Sequence, residues 1–389
     1  MTAGGRADVV VVGAGVIGAA VAWRTAQRGL SVVLVDPAPG CGASYAAAGM
    51  LAPVAEAAYG EETLLGLCLD SAARYPAFLA ELRGACDVPV ARTSGATVVV
   101  ALDGDDLRAL DRLSDYHDEL GLPVRRLTGR DCRRLEPLLS PRVRGGLSVE
   151  GDHAVDPRAL VQALLAAGAR RGVRLVRRSA SSLLVESGSA RGVRLDTGED
   201  LTADVVVVAA GSWSGPTGPL GGLPAHLVPP VRPVKGQVLR LRGEPGPAGL
   251  TRTVRGWAHG APVYVVPYGD GRVVLGATSE EMGFNTDVTA GGAYELLRDA
   301  LALVPGLAEL ELVEATARLR PATPDNAPLI GPTAMPGLVL ATGHYRNGVL
   351  LAPVTADALA GFLATGVPAG EVSAFSPRRF SATAQQVSR

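Results

Sequence analysis

The chain has 389 residues, of which 47% are hydrophobic and 19% charged, a balance that excludes disordered and fibrous classes and gives length for about two or three domains. Lys and Arg number 37 against 38 Asp and Glu, a net charge of -1, and their scatter excludes the basic footprint of a nucleic-acid or anionic-membrane binder. The four cysteines, Cys41, Cys68, Cys86 and Cys132, form no C-x-x-C pair, which excludes a disulfide framework and a zinc site. The 49 Gly and 28 Pro are dispersed, as in an α/β protein with many tight connections. No secretory signal is read in the first residues, and no apolar run reaches the roughly 18 residues of a membrane span, so the expectation is a cytoplasmic protein.

Asp8 to Val12 is a β-branched run that leads into Gly13-Ala14-Gly15-Val16-Ile17-Gly18. The spacing predicts a helix over 16–28 capped by Gly29, then a buried strand Ser31 to Val35 that ends in Asp36. This is a βαβ unit with the dinucleotide fingerprint. Gly13 permits the turn, Gly15 lets backbone approach a pyrophosphate, Gly18 lets helix and strand pack closely, and Asp36 is placed to accept from a ribose. The fingerprint alone does not choose between NAD and FAD. The chain then enters Cys41 to Pro53, rich in small residues, instead of a further regular βα repeat. Ser44 reads as the cap of an Ala-rich helix that Gly49 and Pro53 keep short, and so small a segment can also lie against a flat ring.

A helix is predicted from Glu61 to about 84, followed by a strand at Thr97 to Leu102 that looks like part of a separate sheet. Helical text covers Asp105 to Glu119, Arg125 to Leu138 and Asp156 to Arg171. Strands follow at Val173 to Val176, Ser182 to Glu186, Ala190 to Leu195 and Asp204 to Val208, the last ending in Ala209-Ala210-Gly211-Ser212-Trp213. That junction either touches the same cofactor or is an ordinary strand end. Val231 to Leu241, Val263 to Pro267 and Arg272 to Ala277 are strands of a second β-rich region, with a helix from Ala290 to Leu303. Ala315 to Asp325 begins as a strand in which period 2 puts Arg318 and Arg320 on one face, either as a fork for a carboxylate or solvated at a sheet edge. A strand Gly337 to Thr342 and a polar loop, Gly343-His344-Tyr345-Arg346-Asn347-Gly348, lead into a helix Val349 to Thr365.

Five of these segments carry a resemblance: Gly13 to Gly18, Ser44 to Pro53, Gly276-Ala277-Thr278, Leu319-Arg320-Pro321 and Gly343 to Gly348. Together they resemble the FAD-dependent D-amino-acid oxidase superfamily, and within it the glycine oxidases of thiamine biosynthesis. The resemblance implies a mixed α/β (α+β) fold, a Rossmann-like FAD-binding domain with an inserted β-rich substrate domain. The expected partition is 1–88, 145–225 and 315–389 for the first and 89–144 and 226–314 for the second. It implies noncovalent FAD, held by Gly13, Gly15, Val16, Ile17, Gly18, Asp36, Pro37, Ser44, Ala47, Ala48, Gly49, Met50, Ala210 and Gly211, and by Gly343, His344, Tyr345, Arg346, Asn347, Gly348 and Val349. It further implies that Arg320 clamps the substrate carboxylate with help from Tyr264, while Arg346 and Met50 lie at the reacting centre. Arg318 stands where the family usually has glycine, and Ser279 stands where some members carry methionine. No cysteine lies late in the chain, where covalently flavinylated relatives attach their cofactor.

The implied reaction is oxidation of glycine, sarcosine or a small D-amino acid to its imine by hydride transfer to flavin N5. Oxygen then restores the flavin and yields hydrogen peroxide, and the imine hydrolyses to glyoxylate and ammonia or is handed to thiazole synthesis enzymes. A homo-oligomer without nucleic acid, membrane or metal is implied. Because the cofactor carries such chemistry, no Ser/His/Asp or paired-carboxylate constellation is required. A dehydrogenase of sarcosine or D-amino acids with another electron acceptor, and a non-catalytic FAD-binding scaffold, stand as the alternatives.

Overall fold

A computed structural model describes residues 6–93, 95–244 and 249–380. The first sheet runs Leu329–Pro332, Leu338–Thr342, Asp200–Val208, Ala7–Val12, Val32–Val35, Arg174–Val176, with all neighbours parallel except the first pair. Its central strand is buried on both faces, as parallel strands require. Val9 and Val11 pack under the helices Val16–Gln27, Glu62–Ala85, Pro157–Arg170 and Ala352–Thr365, while Val10 and Val12 face a layer built from the antiparallel strands Ala180–Glu186 and Ser189–Leu195. Trp23, fully buried on the first helix, meets Phe78 edge-on at 5.5 Å. Full burial of each such aliphatic or aromatic side chain contributes roughly 1.5–3 kcal/mol, so this unit has a core of its own.

The second sheet has eight strands in the order Glu311–Ala322, Arg232–Arg242, Arg272–Gly276, Ala261–Pro267, Thr253–Ala258, Thr97–Ala101, Gly145–Val149, Arg125–Thr128. One face carries Leu239, Val254, Val265 and Leu275 and is covered by the helix Ala290–Leu303. The other face turns toward the first unit. This is the expected α/β architecture, a Rossmann-like unit joined to a β-rich one. The chain does not change sheets at 145 and 315, however. Gly145–Val149 pairs with Thr97–Ala101, and Glu311–Ala322 pairs from end to end with Arg232–Arg242 apart from a bulge at Val313, so both segments extend the second sheet.

Local differences have local causes. Arg125–Thr128 is a strand, not the start of a helix, because it finds an edge on Gly145–Val149, and the helix is confined to Gly129–Leu135. The strand Thr253–Ala258 was not expected, since Arg255 and Gly256 interrupt its apolar run. The last long helix begins at Ala352, three residues later than predicted, because Asn347 to Leu351 form turns. Among the described residues no single helix is long and apolar enough to cross a membrane.

Candidate active site

A cavity of about 880 Å³ lies between the glycine turn of the first unit and the inward face of the second sheet. At its first end the turn is fixed by steric necessity. Gly13 has φ +101°, and a Cβ there would sit 2.4 Å from the carbonyl oxygen of Ala209. A Cβ on Gly18 would sit 1.8 Å from the carbonyl oxygen of Gly13. Gly15, by contrast, would meet only the Ser44 hydroxyl, at 3.4 Å, so its missing side chain leaves space on the cavity side. The helix N-terminus therefore opens toward the cavity with the partial positive charge of its unpaired amides. Asp36 lies beside it: its carboxylate accepts from Ala14 N at 2.6 Å and from Ala38 N at 2.7 Å.

The small-residue segment forms one turn of helix, Ala43–Ala46, capped by no side chain of its own. Ser44 instead caps the other helix, its hydroxyl accepting from Val16 N at 3.0 Å. Three arginines hold the segment by its carbonyls. Arg318 donates to Cys41 O at 2.8 Å, Arg158 to Tyr45 O at 2.9 Å, and Arg240 to Tyr45 O at 3.0 Å. Beyond it Gly49, with φ +67°, is pressed against Val155 O, where any Cβ would come within 1.8 Å. Ala47, Ala48, Gly49 and Met50 thus line the cavity with little but backbone and methyl groups.

At the far end the register of the second sheet puts Arg255, Tyr264, Gly276 and Val238 directly opposite one another on successive strands, and so on one face. Arg318 and Arg320 share that face from the edge strand, as their period-2 spacing predicted. Two glycines make the room. A Cβ on Gly236 would fall 2.3 Å from Nη1 of Arg320, and one on Gly276 would fall 2.2 Å from the Tyr264 hydroxyl. Burial pushes that phenol above its ordinary value. Arg320 Nη1 rests on Thr278 O at 3.0 Å, and that carbonyl is held by Gln237 N donating to Thr278 Oγ1 at 2.9 Å and by the Lys235–Glu280 bridge. The chain's single lysine is buried beneath, its Nζ donating to Asn285 Oδ1 at 3.0 Å.

Four arginines line the cavity, and their partners differ. Arg346 is paired with Glu61 at 2.7 Å and Arg255 with Glu56 at 2.7 Å. Arg318 has spent its Nε and Nη1 on the carbonyls of Cys41 and Ala317. Arg320 alone of the four has neither a carboxylate partner nor an engaged Nε or Nη2 among the described residues. A guanidinium fork left open on the cavity wall is suited to one planar anion, a carboxylate.

The cavity brings together Arg320, Tyr264, Arg346 and Met50, along with Gly13, Gly15, Val16, Ile17, Asp36, Pro37, Ser44, Ala47, Ala48, Gly49, Ala210, Gly211, His344, Tyr345, Gly348 and Val349. Gly18, Gly343 and Asn347 lie behind its wall. Gly18 is packed on the turn, Gly343 with φ +73° leaves a Cβ no room beside Thr323, and Asn347 is buried with its amide on His344 O. His344 is no free base: its Nε2 is 3.0 Å from Thr355 Oγ1, and burial pushes its pKa down to about 3. The sequence reading missed Glu56, Arg255 and Gly236, and quoted Gly276 in a motif without giving it a role in the site, so the clearances at Gly236 and Gly276 were unread. A glycine inside each of two strand patterns was the available signal for the last two, because it marks a close approach. Nothing in the sequence announced the other pair, which the fold joins across 199 positions.

The family model described as FAD dependent oxidoreductase matches residues 8–361. Glycine oxidase of Geobacillus kaustophilus (strain HTA426) is 34% identical over 381 residues, 97% of each chain. The bifunctional protein ThiO/ThiG of Trichormus variabilis is 34% identical over 357 residues, 92% of this chain. The chain spans 52% of the length of that relative. The crystal structure of glycine oxidase from Geobacillus kaustophilus superposes with a TM-score of 0.87 at 32% identity, covering 96% of this chain and 99% of that one.

Proposed function

Because the chain belongs to the family of FAD dependent oxidoreductases, we propose that it is an oxidase of glycine, with sarcosine and small D-amino acids as further substrates. The glycine turn, the open helix N-terminus and the methyl-lined wall fit an FAD: a cradle that a Cβ at Gly15 would begin to fill accommodates a pyrophosphate, and the Ala47 to Met50 wall accommodates a flat ring. We assign Asp36 to the ribose, and Gly211, Tyr345, Gly348 and Val349 to the rest of the cofactor. The Rossmann-like unit then holds the cofactor and the β-rich unit the substrate, following the partition read from the sequence apart from the two segments that extend the second sheet.

FAD supplies the two-electron acceptor that turns the amine into an imine and passes the electrons to oxygen as hydrogen peroxide. The chain supplies position. Arg320 takes the substrate carboxylate on its open fork, and the Tyr264 hydroxyl adds a second donor on the same face. Met50 and the alanine wall keep water from the reacting carbon, and Arg346, tied to Glu61, stands at the same site. Among the described residues of the cavity, the Glu56 carboxylate is tied to Arg255 and the buried His344 is neutral, which suits chemistry carried by a flavin. The observation that carries this reading is the open fork of Arg320 beside Tyr264. Homologues that join ThiO to ThiG support a further step, in which the imine passes to thiazole formation in thiamine biosynthesis; that the protein acts in the cytoplasm as a homo-oligomer is part of the same proposal.

The visible spectrum of the purified protein, before and after anaerobic addition of glycine, tests the reading. Bleaching of a bound flavin, with peroxide formed on admitting air, is the expected result. Bleaching without peroxide moves the enzyme to the dehydrogenases, bleaching only with larger D-amino acids moves the substrate, and a flavin that no amine reduces makes the chain a scaffold.

A further inference from the structure

Glu56 and Arg255 are the charged pair of the substrate end that the proposed reaction does not use. Arg255 stands directly opposite Tyr264 in the sheet register, on the face that also carries Arg320. Its Nη1 donates to Glu56 Oε1 at 2.7 Å and lies 3.6 Å from Met50 Sδ. The two side chains are 20% and 13% exposed, so both charges sit in the wall and not in bulk water. Glu56 is held there from behind: Asp152, fully buried, accepts from Ala55 N at 2.8 Å and fixes the backbone next to it.

This arrangement gives the cavity two guanidinium groups on one sheet face, of which one is open and one already holds a carboxylate of the chain itself. A ligand on Arg320 that reaches across this face with a second acidic group meets, at Arg255, a seat that an anion of the chain already fills. We propose that Glu56 fills a second carboxylate seat on Arg255 and so sets the site against amino acids with an acidic side chain. The inference rests on the reading of Arg320 as the α-carboxylate anchor. The like charge already on that seat disfavours an incoming anion, and the half-buried Arg255 gains nothing from exchanging one carboxylate for another. Once the charge on Glu56 is removed, Arg255 becomes a second open fork, and a ligand carboxylate supplies the charge-assisted bonds that Glu56 supplied.

D-Aspartate and D-asparagine test this, because they have nearly the same shape and differ in the charge of one group. Their dissociation constants are measured with the flavin-loaded protein, both from the perturbation of the flavin spectrum and as competitors of glycine. In the parent protein D-aspartate binds no better than D-asparagine. In Glu56→Gln the preference for D-aspartate rises at least tenfold, and in Glu56→Gln/Arg255→Gln that gain is lost. The double variant removes both charges together, so no unpaired ion remains to unfold the protein. An unchanged ratio in Glu56→Gln, or a gain that survives in the double variant, overturns the proposal. Failure of the parent protein to oxidise glycine would refute the proposed reaction instead, and the spectral titrations would still report on Glu56.

Discussion

Gly236→Ala separates substrate binding from folding. The strand Arg232–Arg242 is regular at this position, so alanine brings no backbone strain and gains about 0.5–1 kcal/mol of chain entropy relative to glycine. Its Cβ, however, would lie 2.3 Å from Nη1 of Arg320 and 2.5 Å from both Cζ and Nη2. Carbon contacts are comfortable only from about 3.5 Å, so the guanidinium has to retreat by about 1 Å, which its long side chain permits. That movement breaks the bond to Thr278 O and takes the fork off the substrate carboxylate. Loss of charge-assisted bonds worth about 1.5–3 kcal/mol corresponds to a rise of about tenfold to a hundredfold in KM for glycine. Steady-state kinetics, flavin content and thermal unfolding are measured on the same preparation. The expected result is a raised KM with flavin retained and Tm equal to or above that of the parent. A KM within twofold of the parent would refute Arg320 as the anchor, and a Tm lowered by several degrees would show that backbone, not Arg320, absorbs the clash.

Two buried groups predict opposite responses to pH. His344 is pushed down to about 3 in the folded state from an ordinary 6.5, so its contribution is full above pH 6.5 and is lost as pH falls toward 3. Asp152 is pushed up by burial to about 7 from 3.8, so its contribution is full below pH 3.8 and is lost as pH rises through 7. Between pH 4 and 6.5 each amounts to one proton, about 1.4 kcal/mol per pH unit with opposite sign, and they offset each other. Denaturant unfolding across this window will show that, relative to the parent, His344→Gln gains stability as pH falls and Asp152→Asn loses it; parallel curves would refute the assignment. Gly18→Ala places a Cβ 1.8 Å from a backbone oxygen that cannot move aside, so the variant is expected to lose flavin and soluble yield together, and a yellow soluble variant would refute the packing argument.

The sequence by itself determined the ends of the site but not what joins them. The turn Gly13 to Gly18 with Asp36 was legible because its constraints are local: a strand, a turn that needs φ above zero, a helix N-terminus and a second strand all lie within 30 residues. The shared face of Arg318 and Arg320 was legible for the same reason, since a period of two is a property of one strand. Which of the two is open was not, because that depends on where Cys41 and Thr278 lie in space. The role of Ser44 was misplaced on its own helix because a cap on another helix, 28 positions earlier, leaves no local pattern. The clearances at Gly236 and Gly276 were set by sheet register, and the pairing of Glu56 with Arg255 by that register together with the turn that Asp152 holds. Register is decided by the summed pairing of eight strands, drawn from both halves of the chain, and no short window of residues contains it.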